Sequence, residues 1–186
     1  DPSTEFYCGQ VYTYFQDYQP TCMGFHQNIN VMDALKVSCN IFFYELGRQM
    51  GIDTINKYSE QLGLGVPTGI EITEARGTLS SPESRAAHGL DWNPGDVMQS
   101  AIGQLDNACA PLQLANYAAT IANRGQRMKL TLVKSINDYT LENATYEHTP
   151  EVAQVVDAPA EAFDTVIEGM RRAASMPDGT AYRYFG

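Results

Sequence analysis

The sequence predicts an α+β fold, mainly helical, with a few strands of an incomplete antiparallel sheet. Three observations carry that prediction. Apolar residues recur at helical spacings in the first half and again near residues 111–124 and 159–174. A Gly-, Pro- and Ser-rich stretch separates the two halves. Only two short late runs, 130–136 and 152–156, have the composition of strands, so their sheet lacks partners.

Residues 1–27, with Gly9, Pro20, Gly24 and many tyrosines, read as loop. A first helix fits 30–37, with Asn30 as N-cap and Asp33 as a capping-box-like partner. A second fits 41–50, aligning Phe42, Phe43, Leu46 and Met50 before Gly51. A third starts from an Asp53 cap, groups Ile55, Tyr58 and Leu62, and stops at Gly63. From 64 to 103 long loops are expected, with a short strand at Ile70–Ile72. Residues 111–124, PLQLANYAATIANR, form the clearest helix, opened by Pro111 and closed by Gly125. The runs LTLVKSI (130–136) and VAQVV (152–156) read as strands separated by a polar excursion. A last helix over 159–174 starts with Pro159 and aligns Phe163, Val166, Ile167 and Met170; the tail MPDGTAYRYFG reads as a turn entering a strand.

The 186 residues suffice for one domain with a sizeable core, and 44% hydrophobic with 18% charged residues is an ordinary globular composition. A net charge of −10 argues against nucleic acid and anionic membrane surfaces as partners. No apolar run reaches the ~18 residues of a bilayer span, so no membrane contact is expected within this segment. The opening DPSTEFYCG lacks an initiator Met, which suggests a processed protein or an excised piece.

Cys8, Cys22, Cys39 and Cys109 form no CxxC, and His26, His88 and His148 lie far apart in sequence. That spacing argues against a structural zinc site, and no cofactor is expected. Cys8 and Cys22 bracket a short Tyr-rich segment and suit either a disulfide outside the cytoplasm or two free thiols. Cys39 and Cys109 read as free, buried side chains.

The candidate site is Ser38-Cys39-Asn40, inside ALKVSCNIFFYELG. Two small polar residues interrupt helix-like sequence, and the simplest role is a helix-to-helix turn with Asn40 capping the second helix. A tight turn between buried helices would also present Ser38 and Asn40 on one side, with Cys39 turned away. A hydroxyl that can pass a proton beside a carboxamide with two donors and an acceptor suits a peptide-like amide and a leaving amine. Neither residue is a competent nucleophile without an activating base.

The segments ALKVSCNIFFYELGRQMG, YSEQLGLGVPTGIEI, WNPGD and AIGQLDNACAPLQLANYAATIANRG, in this order, resemble the transpeptidase domain of penicillin-binding proteins of the high-molecular-mass, elongation or division type. The weaker features His26-Gln27-Asn28 and Gly179-Thr180-Ala181 agree with it. The resemblance implies a β-lactamase/transpeptidase-like fold. It also implies a bacterial enzyme on the extracytoplasmic face of the membrane, anchored outside this segment. Such enzymes cross-link peptidoglycan stem peptides through a serine acyl-enzyme, are trapped by β-lactam antibiotics and work with cell-wall synthesis proteins. It maps the S-x-N element to Ser38, as proton relay to the leaving nitrogen, and to Asn40, which would bind the acyl side-chain amide and help place a catalytic lysine.

The other two signatures of this class, S-x-x-K and K-T-G, are absent. Residues three before Lys36, Lys57, Lys129 and Lys134 are Asp33, Thr54, Gln126 and Thr131, and Lys134-Ser135-Ile136 lacks the glycine. Residues 1–186 are therefore expected to be the central slice of one transpeptidase domain, truncated on both sides and inactive alone. A non-catalytic β-lactam sensor or cell-wall scaffold domain of the same fold is the alternative. Other residues carry less. Trp92–Asp96 matches a loop near the family's cleft or is a plain turn. Glu71 and Glu74 read as solvated carboxylates rather than an acid–base pair, Tyr12, Tyr14 and Tyr18 as locally packed rings or a sugar-binding surface, and Asn143-Ala144-Thr145 as an unused glycosylation acceptor.

Overall fold

The computed structural model describes residues 1–186. In chain order the elements are β1 (Phe6–Cys8), β2 (Gln27–Ile29), α1 (Val31–Val37), α2 (Asn40–Met50), α3 (Ile52–Gln61), α4 (Pro82–Ala86), α5 (Asp96–Ala101), α6 (Pro111–Ala122), β3 (Gln126–Met128), β4 (Ser135–Asn137), β5 (Ala144–Glu147), β6 (Val152–Val155), α7 (Ala160–Ser175) and α8 (Tyr182–Phe185). The α+β expectation holds. The strands do not share one sheet: they form three antiparallel ribbons, β1–β2, β3–β6 and β4–β5.

The long helices stand where their periodicity put them. Asn30 caps α1 by accepting from the Asp33 N–H at 3.1 Å. Asp33 does not complete a capping box; its carboxylate turns outward to Arg172 and Lys36. Helix α3 starts two residues early, with Gly51 rather than Asp53 at the N-cap. Helix α2 buries Ile41, Phe42, Tyr44 and Gly47, while Phe43 and Leu46 are half-buried and Met50 is exposed. Its inner face is rotated from the expected one because it is gripped from two sides, by the loop carrying Tyr12 and by α5 carrying Met98. Gly47 makes the second contact possible, since a Cβ there would collide with Ala101.

The low-complexity regions differ more from expectation. Residues 1–27 contain β1 and the start of β2, paired with Phe6 opposite Ile29 and Cys8 opposite Gln27. Three-residue strands leave no periodic trace in sequence. The 64–103 stretch contains α4, opened by a reciprocal Ser81–Ser84 capping box, and α5. No strand forms at Ile70–Ile72; the Glu74 carboxylate accepts from the N–H groups of Thr68 and Gly69 and bends the chain there. Within 130–136 only the last two residues are strand, because pairing is shifted to β3 and β4; the Leu132 N–H donates instead to Glu71. The polar excursion supplies β5, and the tail ends in helix α8, not a strand.

The core is built on the first half: Cys8, Tyr12, Cys22, Ile29, Ala34, Cys39, Ile41, Phe42, Tyr44 and Met98 form one buried cluster. Helix α7 closes over α1. Gly169 permits this approach, since a Cβ there would lie 2.6 Å from Leu35 Cδ1. The Arg172 guanidinium donates to Asp33 at 3.0 Å and ties the two helices together.

Candidate active-site turn

Ser38 ends α1, and Cys39 is the N-cap of α2. Asn40 is the first residue of α2 rather than its cap. The whole reversal is made by Ser38, whose φ and ψ of 55° and 55° are left-handed. For a non-glycine residue that conformation costs about 1–2 kcal/mol and persists only where the surroundings impose it. They do so here: the Cys39 N–H donates to the Ala34 carbonyl at 2.9 Å, and the Cys39 side chain is fully buried. Ser38 is thereby exposed, and its hydroxyl makes no hydrogen bond within the chain. Asn40, half-buried, donates from Nδ2 to the Thr21 carbonyl at 3.3 Å. One carboxamide N–H and the carbonyl oxygen remain for a ligand. The two polar residues thus face outward while Cys39 points into the core.

Two segments flagged only weakly by sequence come to this turn. Thr180 of Gly179-Thr180-Ala181 donates its N–H to the Lys36 carbonyl at 3.1 Å, and Lys36 pairs with Asp178 at 2.8 Å. Gly179 has no room for a side chain beside the Arg172 and Ala173 carbonyls. His26, from the other segment, turns inward against the cysteines behind Ser38.

Those cysteines are the main feature that sequence spacing concealed. The donor atoms of Cys8, Cys22, His26 and Cys39 all lie within 4.8 Å of one another. His26 Nδ1 is 3.4 Å from Cys8 Sγ and 3.6 Å from Cys22 Sγ, and Cys22 Sγ is 4.0 Å from Cys39 Sγ. A tetrahedron with Zn–S of about 2.3 Å and Zn–N of about 2.0 Å has edges of roughly 3.5–3.8 Å, so the four groups fit a Cys3His zinc site. Each ligand comes from a different segment: β1, the following loop, the residue before β2, and the S-C-N turn. Of the two possibilities open for Cys8 and Cys22, the structure has the free thiols, and all four cysteines are unbonded. Burial pushes the Cys39 thiol up to about 12. At Cys22 burial also acts upward, but the N–H groups of Gly24, Asn40 and Ile41 outweigh it and hold the thiol below its ordinary value.

Further along α2, Glu45 organises the loop that carries Cys22. It accepts from Arg48 at 2.6 and 2.9 Å, from the Tyr12 hydroxyl at 2.6 Å and from Gln49 at 2.6 Å. The Arg48 bonds, with help from Tyr12 and Gln49, outweigh burial and hold this carboxyl at about 2. Tyr12 packs against Tyr44 at 5.8 Å, and Tyr14 lies under Arg48. Tyr12 and Tyr14 thus pack against their own loop and α2. A groove of about 560 Å³ runs along Phe6, Tyr7, Val11, Tyr12, Tyr14 and Ile41, and a second of about 570 Å³ lies between Tyr18 and the Asn93–Asp96 turn. Neither is lined by Ser38 or Asn40. Glu71 and Glu74, expected to be merely solvated, instead anchor loops through backbone N–H groups.

Comparison with known proteins shows the family. The peptidoglycan D,D-transpeptidase MrdA of Salmonella typhimurium is 28% identical over 193 residues, which cover 99% of this chain and 30% of that protein. Penicillin-binding protein 2A of Bacillus subtilis is 32% identical over 173 residues, covering 82% of this chain and 23% of its own length. A solved peptidoglycan synthase complex, studied for the coordination of polymerization and crosslinking, superposes with a TM-score of 0.83. It is 28% identical to this chain, covering all of it and 30% of the solved chain. The chain thus spans less than a third of the length of these relatives. The model of the penicillin binding protein transpeptidase domain matches residues 2–185, and the chain belongs to that family.

Proposed function

We propose that these residues are the central part of a peptidoglycan D,D-transpeptidase that works on the extracytoplasmic face of a bacterial membrane. Its substrates are peptidoglycan stem peptides, its inhibitors β-lactams, and its partners other cell-wall synthesis proteins. The nucleophilic serine, its lysine and the K-T-G strand belong to the part of the domain outside these 186 residues, as does the membrane anchor. The single observation that carries the reading is Ser38: exposed, unpaired, and held left-handed on a buried support next to a half-satisfied Asn40.

In the reaction, the absent serine attacks the D-alanyl-D-alanine carbonyl and D-alanine leaves. An amine from a second strand then resolves the acyl-enzyme. Ser38 Oγ passes a proton to the leaving nitrogen, a transfer worth 10²–10⁴ in rate when the group is well placed. The free N–H and Oδ1 of Asn40 take the acyl side-chain amide and the catalytic lysine. Cys8, Cys22, His26 and Cys39 would hold a zinc ion, all four ligands coming from the protein. Such a closed site leaves no position for a reacting water and acts structurally, as the support beneath the turn. Acylation of the full-length protein by a fluorescent penicillin tests the site. Ser38→Ala should slow it about a hundredfold with little change in thermal stability, and an unchanged rate would remove Ser38 from the mechanism. The isolated 186-residue chain should not be labelled.

A further inference from the structure

Three of the four groups in the cluster are free thiols, a set whose chemistry allows oxidation as well as metal binding. Cys22 Sγ and Cys39 Sγ lie 4.0 Å apart. Cys8 is fixed in β1 opposite Gln27, and its sulfur is engaged by the Gly24 carbonyl and His26. Cys22 lies outside any helix or ladder, one residue beyond the isolated Val11–Thr21 bridge. Cys22 is buried and its N–H is held by the Gln10 carbonyl at 2.8 Å, but no continuous ladder fixes its segment as one fixes Cys8, so Cys22 is the sulfur better placed to travel the roughly 2 Å that bond formation requires.

We propose that Cys22 and Cys39 form a reversible disulfide in the metal-free protein, and that this bond displaces the S-C-N turn. The oxidant is a low-molecular-mass or protein disulfide. Cys22 attacks one of its sulfurs, breaking that S–S bond and releasing one thiol. Cys39 then attacks the Cys22 sulfur of the mixed disulfide and releases the second thiol. Two electrons and two protons pass from the cysteine pair to the oxidant. A coordinated metal blocks both steps by occupying the sulfur lone pairs. The consequence for the turn follows from connectivity. Cys39 lies between Ser38 and Asn40, and the carbonyl that holds Asn40 belongs to Thr21, the neighbour of Cys22. Drawing the two sulfurs together moves both supports of the motif at once. This second part rests on the transpeptidase reading; the disulfide does not.

The test uses the full-length protein, stripped of metal under reducing conditions or loaded with zinc, then exposed to glutathione disulfide. Free thiols are alkylated and the unreduced peptides mapped by mass spectrometry. The metal-free protein should lose two alkylated thiols and yield a Cys22–Cys39 linked peptide lacking two hydrogens, while the zinc-loaded protein stays reduced. Cys8→Ser should keep the link, Cys39→Ser should abolish it, and Cys109 should stay free throughout. Four alkylated cysteines in the metal-free protein, or a link through Cys8, would overturn the proposal. Equal oxidation with zinc bound would overturn the competition. Penicillin acylation of the oxidised form should fall about tenfold or more, the scale of a small misplacement of catalytic groups, and recover with dithiothreitol. An unchanged rate would sever the link from the turn. If the reduced protein is not acylated at all, the transpeptidase reading fails and the peptide map alone decides the disulfide.

Discussion

The S-C-N turn and the β4–β5 hairpin are both chain reversals, yet they are held by opposite means. The turn sits on a buried support assembled from β1, the 9–26 loop, α1, α2 and α5. The hairpin has every strand residue exposed, with Tyr139 98% and Leu141 76% accessible. Its loop is organised by Asp138, which accepts from the Thr140 N–H, the Thr140 hydroxyl and Asn143. Local hydrogen bonds suffice to reverse a chain but stabilise it weakly. Both reversals hold a left-handed residue, Leu141 with φ 62° and Ser38 with φ 55°, but only at Ser38 does long-range packing fix that conformation.

The contrast can be broken most severely by taking away the support. Removing zinc from the full-length protein, or replacing His26 and Cys22 by alanine, should destabilise the first-half core by about 4 kcal/mol at a thousandfold excess of metal over Kd. Metal analysis should return one zinc in the unaltered protein, and hydrogen exchange should rise around the turn while the hairpin amides stay unchanged. A metal-free protein of undiminished stability would reverse this assignment.

Acid should act next, through Glu45. Its carboxyl sits at about 2 in the fold and at about 4.5 when unfolded, so its stabilisation is complete above pH 4.5 and is lost as pH falls towards 2. The loss should reach about 2–3 kcal/mol. Urea unfolding across that range should show Glu45→Gln to be less stable at neutral pH and flatter in its acid dependence than the unaltered protein.

A smaller effect of opposite sign should follow at Ser38. Ser38→Gly relieves the left-handed cost and should stabilise the fold by about 1 kcal/mol while slowing acylation. Stability gained with function lost would mark Ser38 as retained for chemistry rather than for folding. The smallest change belongs to the hairpin. Leu141→Ser should alter the unfolding free energy by no more than about 0.5 kcal/mol, because the side chain has almost nothing to leave.

The helices that pack on the core were legible because burial imposes a 3.6-residue period: α1, α2, α3, α6 and α7 lie within about two residues of their expected limits. The S-x-N motif was legible because its residue types and their neighbours are specific. The ribbons were not. β1–β2 and β3–β6 are three or four residues long and pair across 18 or more intervening residues, so neither pattern nor turn chemistry announces them. Helices α4 and α5 were hidden in Gly- and Pro-rich sequence for a similar reason, as they are too short to show a period.

Residue order alone pointed to the family, singled out Ser38 and Asn40 as the candidate pair, and placed the helical frame that carries them. Side-chain periodicity and motif identity are local properties of a chain, and they can be read along it. The tertiary structure decided that Cys39 is more than a spacer. Cys8, Cys22, His26 and Cys39 share no motif spacing; only the packing of a ribbon, a loop and a helix turn brings them within 4.8 Å. Proximity between distant segments is created by folding, and the support beneath Ser38 exists only at that level.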